Sequence, residues 1–170
     1  MLQEGNKPWH QGTTGLLRES KATTYEGGTR VPAMVRWPGQ IAPGQVTDDL
    51  VASPDIYHTL IKAAGGALPS HPIDGYNLLP FLSGEEDQSP RNEYLYIQGK
   101  KLEAMRKGSW KLRLVEEVPE LFNLQDDPGE RFNRASDFPD TVKNIRNEMR
   151  TRAKELGIQL PTRNSTDEAD

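Results

Sequence analysis

Tyr94-Leu95-Tyr96-Ile97, Leu102-Glu103-Ala104-Met105-Arg106, Trp110-Lys111-Leu112-Arg113-Leu114-Val115 and Glu120-Leu121-Phe122-Asn123-Leu124 are four short runs rich in aromatic and aliphatic residues, separated by a few residues each. Two of the separations hold Gly99 and Gly108. Strands joined by such short turns pair antiparallel, because a parallel crossover needs a dozen residues or more. The spacing therefore predicts a four-stranded meander. Downstream, Val142, Ile145, Met149, Ala153 and Leu156 recur at steps of three and four between Asp137-Phe138-Pro139 and Gly157. That period predicts one amphipathic helix to cover the sheet, with Lys143, Arg146, Arg150 and Lys154 on its solvated side. From Pro161 to Asp170 the chain is polar and acidic, and a frayed tail is expected; its Asn164-Ser165-Thr166 sequon carries little weight there.

Upstream of the meander, Ser53-Pro54-Asp55 supplies an N-cap, an N1 proline and a first-turn acid. Ile56, Leu60, Ile61 and Ala64 then share a helical face that Gly65-Gly66 ends. A turn at Asp74-Gly75 leads to the apolar group Leu78, Leu79, Phe81 and Leu82 and then to a polar loop over Ser83 to Asn92, where a subdomain boundary is expected. Thr29 to Trp37 reads as a mostly buried strand closed by Pro38-Gly39, with Pro32 placing it at an edge or its first residues at the strand start.

The 170 residues suit one ordinary domain, yet the apolar fraction of 34% is modest. Counted with glycine and without tyrosine it is roughly 40%, below the usual ~45–50%. Glycine and proline make 28 residues, which predicts a loop-rich globular chain. With a formal net charge of −4, no bulk field draws the chain to nucleic acid or an anionic membrane, and no apolar run approaches a membrane span. The absence of cysteine excludes disulfides, thiolate metal sites and a cysteine nucleophile within these residues.

The stretch richest in chemistry is Gly15-Leu16-Leu17-Arg18-Glu19-Ser20-Lys21-Ala22-Thr23-Thr24-Tyr25-Glu26-Gly27-Gly28-Thr29-Arg30-Val31-Pro32. It brings an ammonium, two guanidiniums, several hydroxyls and a carboxylate close to backbone freed by Gly27 and Gly28, a set that suits an oxyanion such as sulfate or phosphate. The plain alternative is a surface loop with a Glu26 to Arg30 ion pair at the head of a strand.

This stretch, continued through Met34-Val35-Arg36-Trp37-Pro38-Gly39, resembles the sulfatase family, and arylsulfatases in particular. Ile41-Ala42-Pro43-Gly44, the Ser53-Pro54-Asp55 helix, Asp74-Gly75-Tyr76-Asn77-Leu78-Leu79-Pro80, Met105 to Leu112, Glu120-Leu121-Phe122-Asn123-Leu124 and Asp127-Pro128-Gly129-Glu130 resemble further family blocks in the family's order. The resemblance implies an α/β fold: the end of an alkaline-phosphatase-like sulfatase domain over residues 1–85, a small C-terminal subdomain of antiparallel sheet and helix over 86–160, and the tail 161–170. It implies hydrolysis of aryl or glycan sulfate esters by a formylglycine nucleophile, with calcium and basic side chains on the sulfate oxygens. It also suggests a periplasmic, secreted or lysosomal setting.

Residue by residue, the resemblance puts Lys21 at the position of the lysine that contacts the substrate sulfate; Glu26 and Arg30 also match family positions, where holding the loop and strand in register is expected, with substrate contact as the alternative. Trp9 and His10, just upstream, are candidates for lining the substrate, with ordinary loop roles as the alternative. His58 and His71 have no nucleophile or metal partner in the pattern, so structural roles are expected.

The family's nucleophile motif, Cys/Ser-x-Pro/Ala-x-Arg, is missing; Ser70-His71-Pro72-Ile73-Asp74 ends in aspartate and stands in the wrong place. The family's calcium-binding acidic pairs precede the lysine loop, so no metal ligand is assigned here. Asp48-Asp49 and Asp126-Asp127 read as turn residues. An N-terminal part of the same enzyme is thus the implied partner, supplying nucleophile and calcium, and these residues alone are expected to be inactive. Two other readings stay open: a phosphate or phosphonate ester hydrolase of the same superfamily, and a non-catalytic module for anionic glycans built on Lys100, Lys101, Arg106, Lys107, Lys111 and Arg113.

Overall fold

In the computed structural model, described over residues 12–114 and 118–161, the chain forms two compact units. One comprises residues up to Pro32 and from Leu95 onward, the other Ala33–Tyr94.

The first unit is built on the expected meander: β1 (Glu93–Gln98), β2 (Lys101–Lys107), β3 (Trp110–Arg113) and β4 (Glu120–Asn123) lie in sheet order β1-β2-β3-β4. The pairs Met105↔Leu112 and Leu112↔Leu121 fix an antiparallel register across the three later strands. Gly99 (φ +60°) and Gly108 (φ +56°) take the left-handed conformation that these hairpin turns demand and that a Cβ disfavours.

Because side chains alternate along a strand, the sheet has two different faces. Leu112 and Leu121 point to one side, where Leu102 and Met105 join them and Val142, Ile145, Met149 and Ala153 of a long helix pack on top. Burying each of the valine, leucine, isoleucine and methionine side chains among them stabilises the fold by roughly 1.5–3 kcal/mol. This helix, Pro139–Leu156, starts on a proline in its first turn and ends at Gly157 (φ +63°), as its sequence predicts. Leu156, expected on the buried stripe, is half exposed in the last turn. Lys111, Arg113, Glu120 and Phe122 occupy the opposite face, and there Phe122 and Leu124 pack with Tyr25.

The second unit contains a helix at Ser53–Ala63 and a short one at Leu79–Ser83. Helix Ser53–Ala63 begins one residue earlier than the Ser53 cap predicts: Ala52 is the N-cap, and the Asp55 carboxylate accepts its N–H at 2.7 Å. The predicted buried face is also wrong. Ile56 and Leu60 are 55% and 61% exposed, whereas Asp55 and Thr59 are buried against the segment after Gly75. Polar bonding decides this: Asp55 accepts from the Tyr76 N–H at 2.8 Å, Thr59 Oγ1 accepts from the Leu78 N–H at 2.9 Å, and Arg91 grips Asp55 through Nε and Nη2 at 2.8 and 2.6 Å.

Thr29 to Trp37 is not a strand. Val31, Met34 and Val35 are exposed, and no described strand pairs with them. An apolar extended run becomes a strand only where another strand takes up its N–H and C=O groups.

Candidate functional site

The lysine loop lies against the polar face of the sheet and ends in one helical turn, Glu26–Thr29. It is folded tightly on itself. The Gly27 N–H donates to the Arg18 carbonyl at 2.9 Å, the Gly28 N–H to Tyr25 O at 3.0 Å, and Thr23 Oγ1 to Ser20 O at 3.0 Å. A Cβ on Gly27 would overlap the carbonyl oxygens of Arg18 and Glu19, and one on Gly28 would overlap that of Thr23. Only glycine allows this closure. Glu19 (φ +60°) and Ala22 (φ +76°) flank the tip in the left-handed region although neither is glycine. Such backbone persists where its surroundings over-determine it, and it gathers at functional positions. Between these two residues Lys21 is exposed.

What over-determines the loop is a set of polar and charged clamps from every strand. Lys111 on β3, fully buried, places its ammonium 2.8 Å from Glu26 Oε1 and 2.8 Å from Glu130 Oε1. Tyr96 on β1 donates its hydroxyl to Glu26 Oε1 at 2.8 Å and lays its ring 4.0 Å from the same ammonium. Glu130 Oε2 accepts the Glu26 N–H at 2.7 Å.

A second clamp grips the other side of the loop. Arg113 Nη1 reaches Glu120 Oε2 at 2.7 Å and the Tyr25 hydroxyl at 2.8 Å, and Tyr25 donates to Glu120 at 2.8 Å. The Arg18 and Arg113 guanidiniums both lie over the Tyr25 ring, at 4.1 and 4.0 Å. Nearer the tip, Thr24 Oγ1 donates to Glu103 on β2 at 2.9 Å and Gln98 Nε2 on β1 to Ala22 O at 3.3 Å.

Burial governs the titration of this cluster. It pushes the Glu130 carboxyl up, and the Lys111 charge and the Glu26 N–H only partly pull it back. Burial and donation to Glu120 push the Tyr25 phenol up to about 12, and burial with the Glu26 charge pushes Tyr96 well above its ordinary value. Both tyrosines are therefore neutral donors at physiological pH.

The predicted site residues fare differently. Lys21 stands at the loop tip, Glu26 is buried in the Lys111 cluster, and Arg30 is exposed at the end of the helical turn, its N–H on Glu26 O at 2.7 Å. Trp9 and His10 lie outside the described residues, as does the sequon. His58 bonds through Nδ1 to Gly75 O at 2.7 Å, a structural use. Sequence reasoning gave Lys111, Glu130 and Glu120 no role at the loop; Lys111 was hidden in a basic run and Glu130 in a turn motif. The basic run is not one surface, because Lys111 and Arg113 are buried and Lys107 pairs with Glu148 at 2.8 Å.

Among the described residues no three His, Cys, Asp or Glu side chains gather into a cluster that could hold a metal ion. The calcium implied by the resemblance thus finds no fitting set among them. Asp126 and Asp127 serve a turn, accepting from Asn123 Nδ2 at 2.7 Å and from the Arg131 and Phe132 N–H groups at 2.8 and 2.9 Å. No described helix is long and apolar enough to cross a membrane.

The sequence profile of the family described as N-sulphoglucosamine sulphohydrolase, C-terminal, matches residues 19–159, from the lysine loop to the end of the covering helix. The chain belongs to the sulfatase family. Arylsulfatase A of Bos taurus is 35% identical over 177 residues, covering 88% of this chain and 34% of that protein. N-acetylgalactosamine-6-sulfatase of Mus musculus is 33% identical over 159 residues, covering 74% and 30%. In crystal structures, the PsFucS1 sulfatase of Pseudoalteromonas sp. superposes with a TM-score of 0.74 at 25% identity, over 86% of this chain and 34% of that one. The α/β fold class expected from the sulfatase resemblance holds, including the antiparallel sheet with its helix. This sulfatase chain spans about a third of the length of the relatives it matches.

Proposed function

We propose that this chain is the C-terminal part of an arylsulfatase-like sulfuric ester hydrolase and that Lys21 binds the oxygens of the transferring sulfate. One observation carries the reading: the loop exposes a single ammonium at its tip, between two left-handed residues, while Arg18 and Glu26 on its two legs are paired with Glu120 and Lys111 of the sheet behind it. A rigid mount of this kind is what electrostatic catalysis requires. In sulfate-ester cleavage negative charge shifts onto the leaving oxygen and the sulfuryl group, and a cation fixed beforehand stabilises that distribution without reorganising. Lysine suits the task as a compact point charge with three donors on a flexible stem.

The formylglycine nucleophile and calcium belong, on this proposal, to a preceding part of the same protein, which is the partner of these residues. The relatives named above include an arylsulfatase and an N-acetylgalactosamine-6-sulfatase, so the substrate class proposed is a sulfate ester of an aryl or glycan alcohol. The test is turnover of p-nitrophenyl sulfate against p-nitrophenyl phosphate by the complete protein. Preference for the sulfate supports the reading. Preference for the phosphate transfers it to the phosphoesterases that share the fold.

A further inference from the structure

We propose that Glu130 is a positioning residue for Lys21, holding both legs of the lysine loop at once: its carboxylate binds the Glu26 N–H and its main-chain carbonyl binds the Arg18 guanidinium. This rests on the reading of Lys21 as the sulfate-binding cation.

The two contacts measure 2.7 Å to Glu26 N and 3.0 Å to Arg18 Nη1, and Glu130 is fully buried. Arg18 precedes the lysine by three residues and Glu26 follows it by five, and the legs are joined directly by the Gly27 N–H on Arg18 O at 2.9 Å. Glu130 thus secures the base of a closed loop whose tip carries the ammonium. The turn that presents Glu130 is pressed against the same loop: a Cβ on Gly129 would stand 2.8 Å from the Leu16 carbonyl oxygen.

Turn formation alone does not call for this residue. Asp127 already satisfies the turn by accepting the Arg131 and Phe132 N–H groups, and its carbonyl accepts the Glu130 N–H at 3.1 Å. Glu130 itself has φ +51°, where glycine or asparagine is the ordinary choice. Burying a carboxylate there is costly unless it is paired. Its pairing with Lys111 and Glu26 N directs that carboxylate at the loop. A misplacement of about 1 Å in a group that binds the reacting centre costs on the order of 100-fold in rate.

The experiment is a double-mutant cycle in the complete protein, with kcat and KM for p-nitrophenyl sulfate and the melting temperature measured for each variant. Glu130→Ala is expected to lower kcat/KM about 10- to 100-fold, mainly in kcat. Glu130→Gln, whose amide oxygen can still accept the Glu26 N–H while its amide nitrogen faces the Lys111 ammonium, should recover part of that loss. Glu130→Ala added to Lys21→Ala should cost almost nothing more, because the lysine to be positioned is gone. Should Glu130→Ala not fold, Glu130→Asp, which keeps the charge but draws the carboxylate back from the Glu26 N–H by one methylene, is carried through the same cycle with the same expected loss and the same lack of further cost on Lys21→Ala. Losses that multiply, or a folded Glu130→Ala within twofold of wild type, overturn the role of Glu130. Full activity of Lys21→Ala alone overturns the reading of Lys21 instead.

Discussion

The Lys111 ammonium lies 2.8 Å from the Glu26 carboxylate, and both side chains are shut away from water although 85 residues separate them in sequence. Removing the ammonium leaves Glu26 and Glu130 facing each other with one buried cation fewer. Lys111→Met should therefore destabilise the first unit by about 3–5 kcal/mol, since breaking one side of a buried pair strands the other. Urea unfolding checks this, and a change below about 1 kcal/mol contradicts the clamp.

Glu130 should make stability fall as pH rises above the ordinary carboxylate range. Burial raises its carboxyl above the unfolded value, so the folded state holds the proton more tightly. That contribution is complete below the ordinary carboxylate range and is lost as pH rises from there through the folded value. In Glu130→Gln this slope should disappear, which denaturation series across that window will reveal. An unchanged slope places the titration elsewhere.

The Asp55–Arg91 fork in the second unit has the opposite sign. Burial alone would raise Asp55, but the Arg91 bonds and the Tyr76 and Ala52 N–H groups outweigh it and carry the carboxyl below its usual value. Its contribution is present above the unfolded value and is lost as pH falls through the folded one. Arg91→Ala should flatten that acid limb and loosen the Ser53–Ala63 helix start. Amide exchange at Ala52 and Tyr76 is the readout, and unchanged protection there contradicts the role given to the fork.

Gly27→Ala should disrupt the lysine loop without disturbing the sheet, because the new methyl meets main-chain oxygens that cannot swing aside. The expected pattern is retained strand signal with lost protection at the Gly27 and Gly28 amides. Wild-type protection in that variant counts against the tight closure.

The sheet and its covering helix were legible because their periods report a local preference and a burial that agree: Val142, Ile145, Met149 and Ala153 bury as their spacing requires. Elsewhere the same logic failed. Ile56 and Leu60 read as a core face, but Asp55 and Thr59 turn inward because hydrogen bonds to Tyr76 and Leu78 decide the helix's orientation, and no periodicity announces such bonds. Val31 to Trp37 had strand composition, but no described strand pairs with them. At the site, the resemblance singled out Lys21 from its neighbours, whereas Lys111 and Glu130 were invisible as a pair, because their meeting with Glu26 depends on the register of the sheet and the left-handed turn at Glu130.

On the proposed function, the polar face of the sheet holds Lys21 in place for the sulfate. Turnover of p-nitrophenyl sulfate by Lys21→Ala in the complete protein tests it most directly, with melting temperature measured alongside. The exposed side chain predicts an unchanged melting temperature, and loss of a fixed cation at the reacting group predicts a fall in kcat of about 100-fold or more. Near-normal turnover in that folded variant contradicts the account.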